Sequence, residues 1–142
     1  MIKTYDVFKA IFDKIKALPY NVYDEVPAKA ANPHIRVDYS TELDNGGKDY
    51  DGKTYYQYIH VFSTYKGRKE ILQITDDVLK ILSDVIETDT FVMYPQLERN
   101  DITTESDNTG GSIKGAHTNE TYRHSIIVMK YTICEKNKKG LI

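Results

Sequence analysis

Four histidines, one cysteine and a run of aspartates are the residues of this sequence that could carry chemistry. His34, His60, His117 and His124 lack the short repeated intervals of a metal-ligand set. His60 and His124 become neighbours only if the strands that carry them pair. Cys134 stands near the end of a strand pattern and reads as a buried structural thiol. Alone, it closes no intramolecular disulfide and builds no cysteine zinc site. The segment Asp44–Gly52 has the aspartates and glycines of a calcium loop. It misses the D-x-[DN]-x-[DN]-G register and has no closing glutamate, so it reads as a solvated turn. Nucleophile elbow, Walker loop, G-x-G-x-x-G and H-E-x-x-H are all absent. Asn119-Glu120-Thr121 matches a glycosylation sequon, which without a secretory signal carries no meaning. The sequence predicts no enzyme, no metal and no cofactor.

Two features point instead to contact surfaces. Twelve tyrosines stand against four phenylalanines and no tryptophan. Tyr50, Tyr55, Tyr56 and Tyr58 cluster together, and tyrosine suits interfaces because its ring can be buried while its hydroxyl finds a polar partner. Ordinary cross-strand packing is the competing reading. Charge is also segregated: from Asp76 to Asp107 nine acids face two bases, while residues 130–142 carry four lysines against Glu135. Two differently solvated faces would explain this. So would a head-to-tail contact between copies, with Lys136, Lys138 and Lys139 meeting a neighbour's acidic surface.

The elements that must position these residues follow from periodicity. The chain has 142 residues, 40% hydrophobic and 28% charged, with a net charge of −2. That is the length of one domain, enough to bury about two-thirds of its unfolded surface. The charge excludes a strongly basic nucleic-acid binder. The longest apolar run, Ile126–Met129, is far below the roughly 20 residues of a membrane span. The opening residues read as an amphipathic helix rather than a signal peptide. The composition suits a soluble, intracellular α+β domain.

Residues 4–17 form a helix with Val7, Phe8, Ile11, Phe12 and Ile15 on one stripe, Thr4 as N-cap and Leu18-Pro19 as its stop. Strands follow at 20–25, at 34–41 with Ile35, Val37 and Tyr39 sharing a face, and at 55–65 with apolar residues on both faces. A thirteen-residue connection, 42–54, separates the last two. A second helix is predicted over 67–85, buried through Ile71, Ile74, Val78, Ile81, Leu82 and Val85. A strand over 91–97, weakened by Pro95, suits an edge or bulge. Residues 98–120 read as a long polar loop and 121–134 as the last strand, with Ile127, Met129, Tyr131 and Ile133 on one face. The result is a single domain over 1–134, a twisted, mainly antiparallel sheet with two helices in the order α-β-β-β-α-β-β. A basic, frayed tail, 135–142, completes the chain. There is no βαβαβ alternation and no internal repeat.

Three short motifs then carry a resemblance: Val22-Tyr23-Asp24-Glu25-Val26-Pro27 with Pro33-His34-Ile35-Arg36-Val37, the strand Tyr58–Ser63, and Tyr122-Arg123-His124-Ser125-Ile126-Ile127-Val128. Over roughly 5–133 the layout resembles the tail-terminator and head–tail joining (tail completion) proteins of long-tailed bacteriophages. The polar insertion 98–120 departs from that pattern. The resemblance implies a structural, non-enzymatic neck subunit of the virion, assembled in the host bacterial cytoplasm. Six copies would form a ring that caps the tail tube protein and docks to the head connector or stopper protein. DNA would pass through without specific binding, and no membrane is involved. A conduit should not grip phosphates. On that ground the expected channel-facing acids are Asp44, Asp49 and Asp51, or Asp101, Glu105 and Asp107. A head-completion ring protein and a monomeric ligand- or peptide-binding module are the competing readings.

Overall fold

The structure, a computed structural model, describes residues 1–106 and 121–136. Helix α1 spans Thr4–Lys16 and α2 Lys69–Leu82. The strands are β1 (Asn21–Tyr23), β2 (His34–Asp44), β3 (Gly52–Ser63), β4 (Ile86–Glu87), β5 (Phe91–Ser106) and β6 (Thr121–Glu135). They make one six-stranded sheet in the order β1-β2-β3-β6-β5-β4. Only the β1–β2 pair is parallel. The predicted order of helices and strands holds, with the two-residue β4 added between α2 and β5. None of the described helices is long and apolar enough to cross a membrane.

Both helices cover the same face of the sheet, and the core lies between. Val7, Ile11 and Ile15 of α1 and Ile71, Val78 and Leu82 of α2 are fully buried. They meet Ile35 of β2, Tyr55, Ile59 and Val61 of β3, and Ile127, Tyr131 and Ile133 of β6. Phe8 and Phe12 sit half-buried at the margin of this core, stacked at 5.6 Å between ring centroids. Tyr131 donates its hydroxyl to Leu82 O (3.2 Å) and so ties the end of α2 to the sheet. Tyr20 donates to Asp77 Oδ2 at 2.6 Å and ties the entry to β1 to the same helix.

Several boundaries differ from expectation for physical reasons. Lys3, not Thr4, occupies the N-cap of α1, and Thr4 donates its hydroxyl to Glu42 on β2 instead. Helix α2 follows Gly67, whose φ of +80° is costly for residues with a Cβ, and stops at Leu82. Val85, expected in its buried stripe, is half exposed, and Ile86 fills the core from β4. The thirteen-residue connection shrinks to 45–51, because β2 and β3 stay paired out to Asp44↔Lys53.

The largest correction concerns 98–120. Residues 98–106 are strand, paired with β6 as far as Ser106↔Thr121, and a one-residue bulge at Glu98 lets the polar stretch keep register. Residues 107–120 lie outside the described residues. Pro95 sits, as expected, where β5 is an edge beside that bulge. The start of the basic tail, expected at 135, also differs. Glu135 closes β6 and Lys136 N–H donates to Thr90 O, while 137–142 lie outside the described residues.

Candidate functional site

The face of the sheet away from the helices is built from the even-numbered positions of β3 and β6, since side chains alternate along a strand. A second bulge shapes it. Val37 pairs with Ile59 and Ser40 with Gln57, so Asp38 and Tyr39 together oppose Tyr58. That doubling turns both side chains to the helix-free face. Tyr39 stacks on Tyr58 with centroids 4.2 Å apart, and Asp38 Oδ2 lies 3.0 Å from His60 Nε2. The bulge is held from the core side by Gln57, which is fully buried. Its amide donates to the carbonyls of Asp38 (2.7 Å) and Tyr39 (3.2 Å).

Pairing of β3 with β6, the condition on which their nearness depended, brings His60 and His124 together. His60 Nδ1 lies 2.7 Å from His124 Nε2. The hydrogen-bond roles form a consistent set. His60 Nε2–H serves Asp38, which leaves Nδ1 to accept from His124 Nε2–H. Phe62 stacks on His124 at 4.5 Å and on His34 at 4.9 Å. Burial, with the neighbouring His124 adding to it, lowers the pKa of His60, and Asp38 only partly opposes this. Burial also lowers that of His34, whose Nδ1 has no hydrogen-bond partner among the described residues. Neutral histidines are therefore favoured, and the layer acts as packing. Among the described residues no group of three His, Cys, Asp or Glu side chains is arranged to hold a metal.

The predicted contact residues separate. Tyr55 is fully buried in the subunit's own core, on the same parity as Ile59 and Val61, so it has no surface to offer a partner. Tyr50 is exposed in the β2–β3 loop. Tyr56 and Tyr58 are half-buried on the helix-free face, with Lys130 Nζ 6.0 Å above the Tyr56 ring. Lys136 pairs with Glu87 at 2.6 Å, whereas Lys138 and Lys139 lie outside the described residues.

The predicted acids form two groups that the fold keeps apart. Asp44, Asp49 and Asp51 mark the β2–β3 turn, where Asp51 lies 3.4 Å from the Met1 ammonium. Asp101 pairs with Arg99 on β5. Asp44 is level with Ile133 of β6 and Asp101 with Ile126, seven residues further back, a separation of roughly 23 Å along the strand. Glu105 lies on β5 beyond Asp101, and Asp107 is outside the described residues.

Three comparisons bear on what such a fold serves. The family model described as "Tail completion protein gp17" matches residues 10–114. No curated protein matches the chain. Among solved structures, a chain of the virion of a native gene transfer agent (GTA) particle is similar. Its TM-score is 0.64 at 14% identity, over 90% of this chain and 94% of that one. A chain from the cryo-EM structure of an extracellular contractile injection system, described as "PVC sheath/tube terminator in extended state", gives a TM-score of 0.51 at 12% identity. That alignment covers 91% of this chain but only 56% of the longer one. At such identities the likeness is one of fold.

Proposed function

This chain belongs to the tail completion protein gp17 family, and from that premise we propose that it is a tail terminator, a structural subunit of the virion tail. Six copies form a ring that caps the finished tail tube and joins it to the head connector. The protein works by stoichiometric binding, without catalysis. The observation that carries this reading is the family match over residues 10–114, which takes in the second half of α1, all of α2 and every strand except β6. The fold supports it too, since a chain of similar size in a gene transfer agent virion shares it over nearly its full length.

The helix-free face suits a binding role better than a catalytic one. Burial lowers the pKa of His34 and His60, its rings are stacked, and its carboxylate is engaged by His60. For the conduit, the β2–β3 turn is the better candidate for the acidic lining. Asp44 and Asp49 are exposed, whereas Asp101 is neutralised by Arg99. DNA then meets carboxylates that offer no counterion-releasing grip.

The experiment is cryo-electron microscopy of particles carrying a tagged copy. Density for the tag is expected as a six-fold ring at the head-proximal end of the tail. A tag at the tail tip, or intact head-joined particles from a strain with the gene deleted, would overturn the reading.

A further inference from the structure

Both edges of the sheet are capped at one end and bare beyond it. On one side β1 pairs only with His34–Arg36, and no described strand pairs with the outer edge of Val37–Asp44. On the other side β4 pairs only with Val92 and Met93, and no described strand pairs with the outer edge of Tyr94–Ile102. Apart from the carbonyls of Asp38 and Tyr39, which accept from Gln57, the outward N–H and C=O groups along such stretches are a ready template for another strand.

The two bare stretches match in level and in direction. Leu43 is level with Thr54, Thr54 with Thr132, and Thr132 with Tyr94. Tyr39 faces Tyr58, which is level with Val128 and so with Arg99. Each step from β2 through β3 and β6 to β5 is antiparallel, so β2 and β5 run oppositely. A rotation about an axis parallel to the strands therefore sets β5 of one copy antiparallel beside β2 of the next, which is the operation that closes a ring.

The side chains agree. Ten large hydrophobic residues are exposed among the described residues, and four of them, Tyr39, Leu43, Tyr94 and Leu97, stand on these two stretches. An apolar groove of about 220 Å³ runs beside the β5 edge, lined by Leu79, Pro95, Leu97 and Met129 among others. Pairing either edge with its own copy is worse. Two β5 edges would meet the missing donor of Pro95 twice, and a contact between two β2 edges would leave the β5 edge of both copies bare.

From these observations we infer that neighbouring copies join edge to edge, β2 of one subunit pairing antiparallel with β5 of the next. Leu43 then lies against Tyr94 and Tyr39 against Arg99. This rests on the ring reading above and names the surface that builds it.

Disulfide trapping tests the contact, because directly opposed residues on antiparallel strands lie within disulfide range. In a Cys134→Ser background, Leu43→Cys is combined with Tyr94→Cys, or with Gln96→Cys to cover a two-residue shift in register. Samples are oxidised at a concentration where light scattering shows the oligomer, and in assembled tails. A non-reducing ladder up to the ring number is expected from a double variant and from neither single variant. Dimers from a single variant would replace this contact by a two-fold one. An oligomer or assembled tail without any ladder would overturn the edge contact and leave the ring standing. A protein that is monomeric in solution and absent from tails would instead remove the ring reading itself.

Discussion

Replacing Gln57 by leucine should loosen the bulge on β2 without opening a cavity, because the two side chains have similar volume. Gln57 is fully buried, and its amide donates to Asp38 O at 2.7 Å, to Tyr58 O at 2.9 Å and to Tyr39 O at 3.2 Å. Its carbonyl accepts from the Tyr55 hydroxyl at 3.3 Å. Two amide hydrogens cannot serve three carbonyls equally, so two strong bonds are counted as lost. Each buried acceptor left unsatisfied costs roughly 1–3 kcal/mol. Relief from desolvating the glutamine amide offsets part of this, leaving a net loss of about 3 kcal/mol. For a chain of this length that lowers Tm by roughly 6–12 °C. The assay is urea unfolding followed by far-UV circular dichroism, comparing midpoints at constant slope. A Gln57→Leu protein within about 0.5 kcal/mol of the parent would refute the reasoning, since the bulge would then not depend on that amide. Gln57→Glu supplies a second arm. A buried carboxylate that can only accept faces these three carbonyls, so its pKa is raised in the folded state. Its protonated form can donate, so stability relative to the parent should recover as pH falls through that raised pKa and be lost as pH rises.

Ile11→Ala should cost about 3 kcal/mol in the same assay, and Phe12→Ala less, because Ile11 is fully buried and Phe12 only partly. Overall stability should fall as pH drops below about 6.5. His34 and His60 have lowered pKa values in the fold, so the unfolded chain takes up protons first. The limiting slope is about 1.4 kcal/mol per pH unit for each histidine, and pH-independent midpoints between pH 5 and 7 would contradict it. Tyr56→Ala should change unfolding by less than about 1 kcal/mol, since the ring stands half-buried on the helix-free face. Light scattering should show weaker association for this variant if that face meets a neighbour, and unchanged association together with a large loss of Tm would count against it.

Much of this fold was legible because its core obeys simple periods. The stripes Val7, Ile11, Ile15 and Ile71, Ile74, Val78 name the buried sides of both helices, and Ile127 to Ile133 names the inner face of β6. The same period-2 rule places Tyr55 inside with Ile59 and Val61. Its closeness in the chain to Tyr56 and Tyr58, which stand half-buried on the other face, hides that parity. Other features left no trace in side-chain pattern. Residues 98–106 are polar and do not alternate in hydrophobicity, and they are strand because β6 supplies backbone partners. Neither bulge was visible, yet one of them aims Asp38 at His60. The nearness of His60 and His124 was conditional on strand pairing, and only the register established it.

The alternation of headings across the four long strands limits how this subunit can change. With an even number, its two rims point opposite ways, and under the proposed edge contact any copy could follow any other in the same ladder. One additional strand would give both rims the same heading, and neighbours could then meet only through the slanted bonds of a parallel joint. Under that contact, growth of the wall would be restricted to whole hairpins, whereas lengthening a turn would leave the repeat intact.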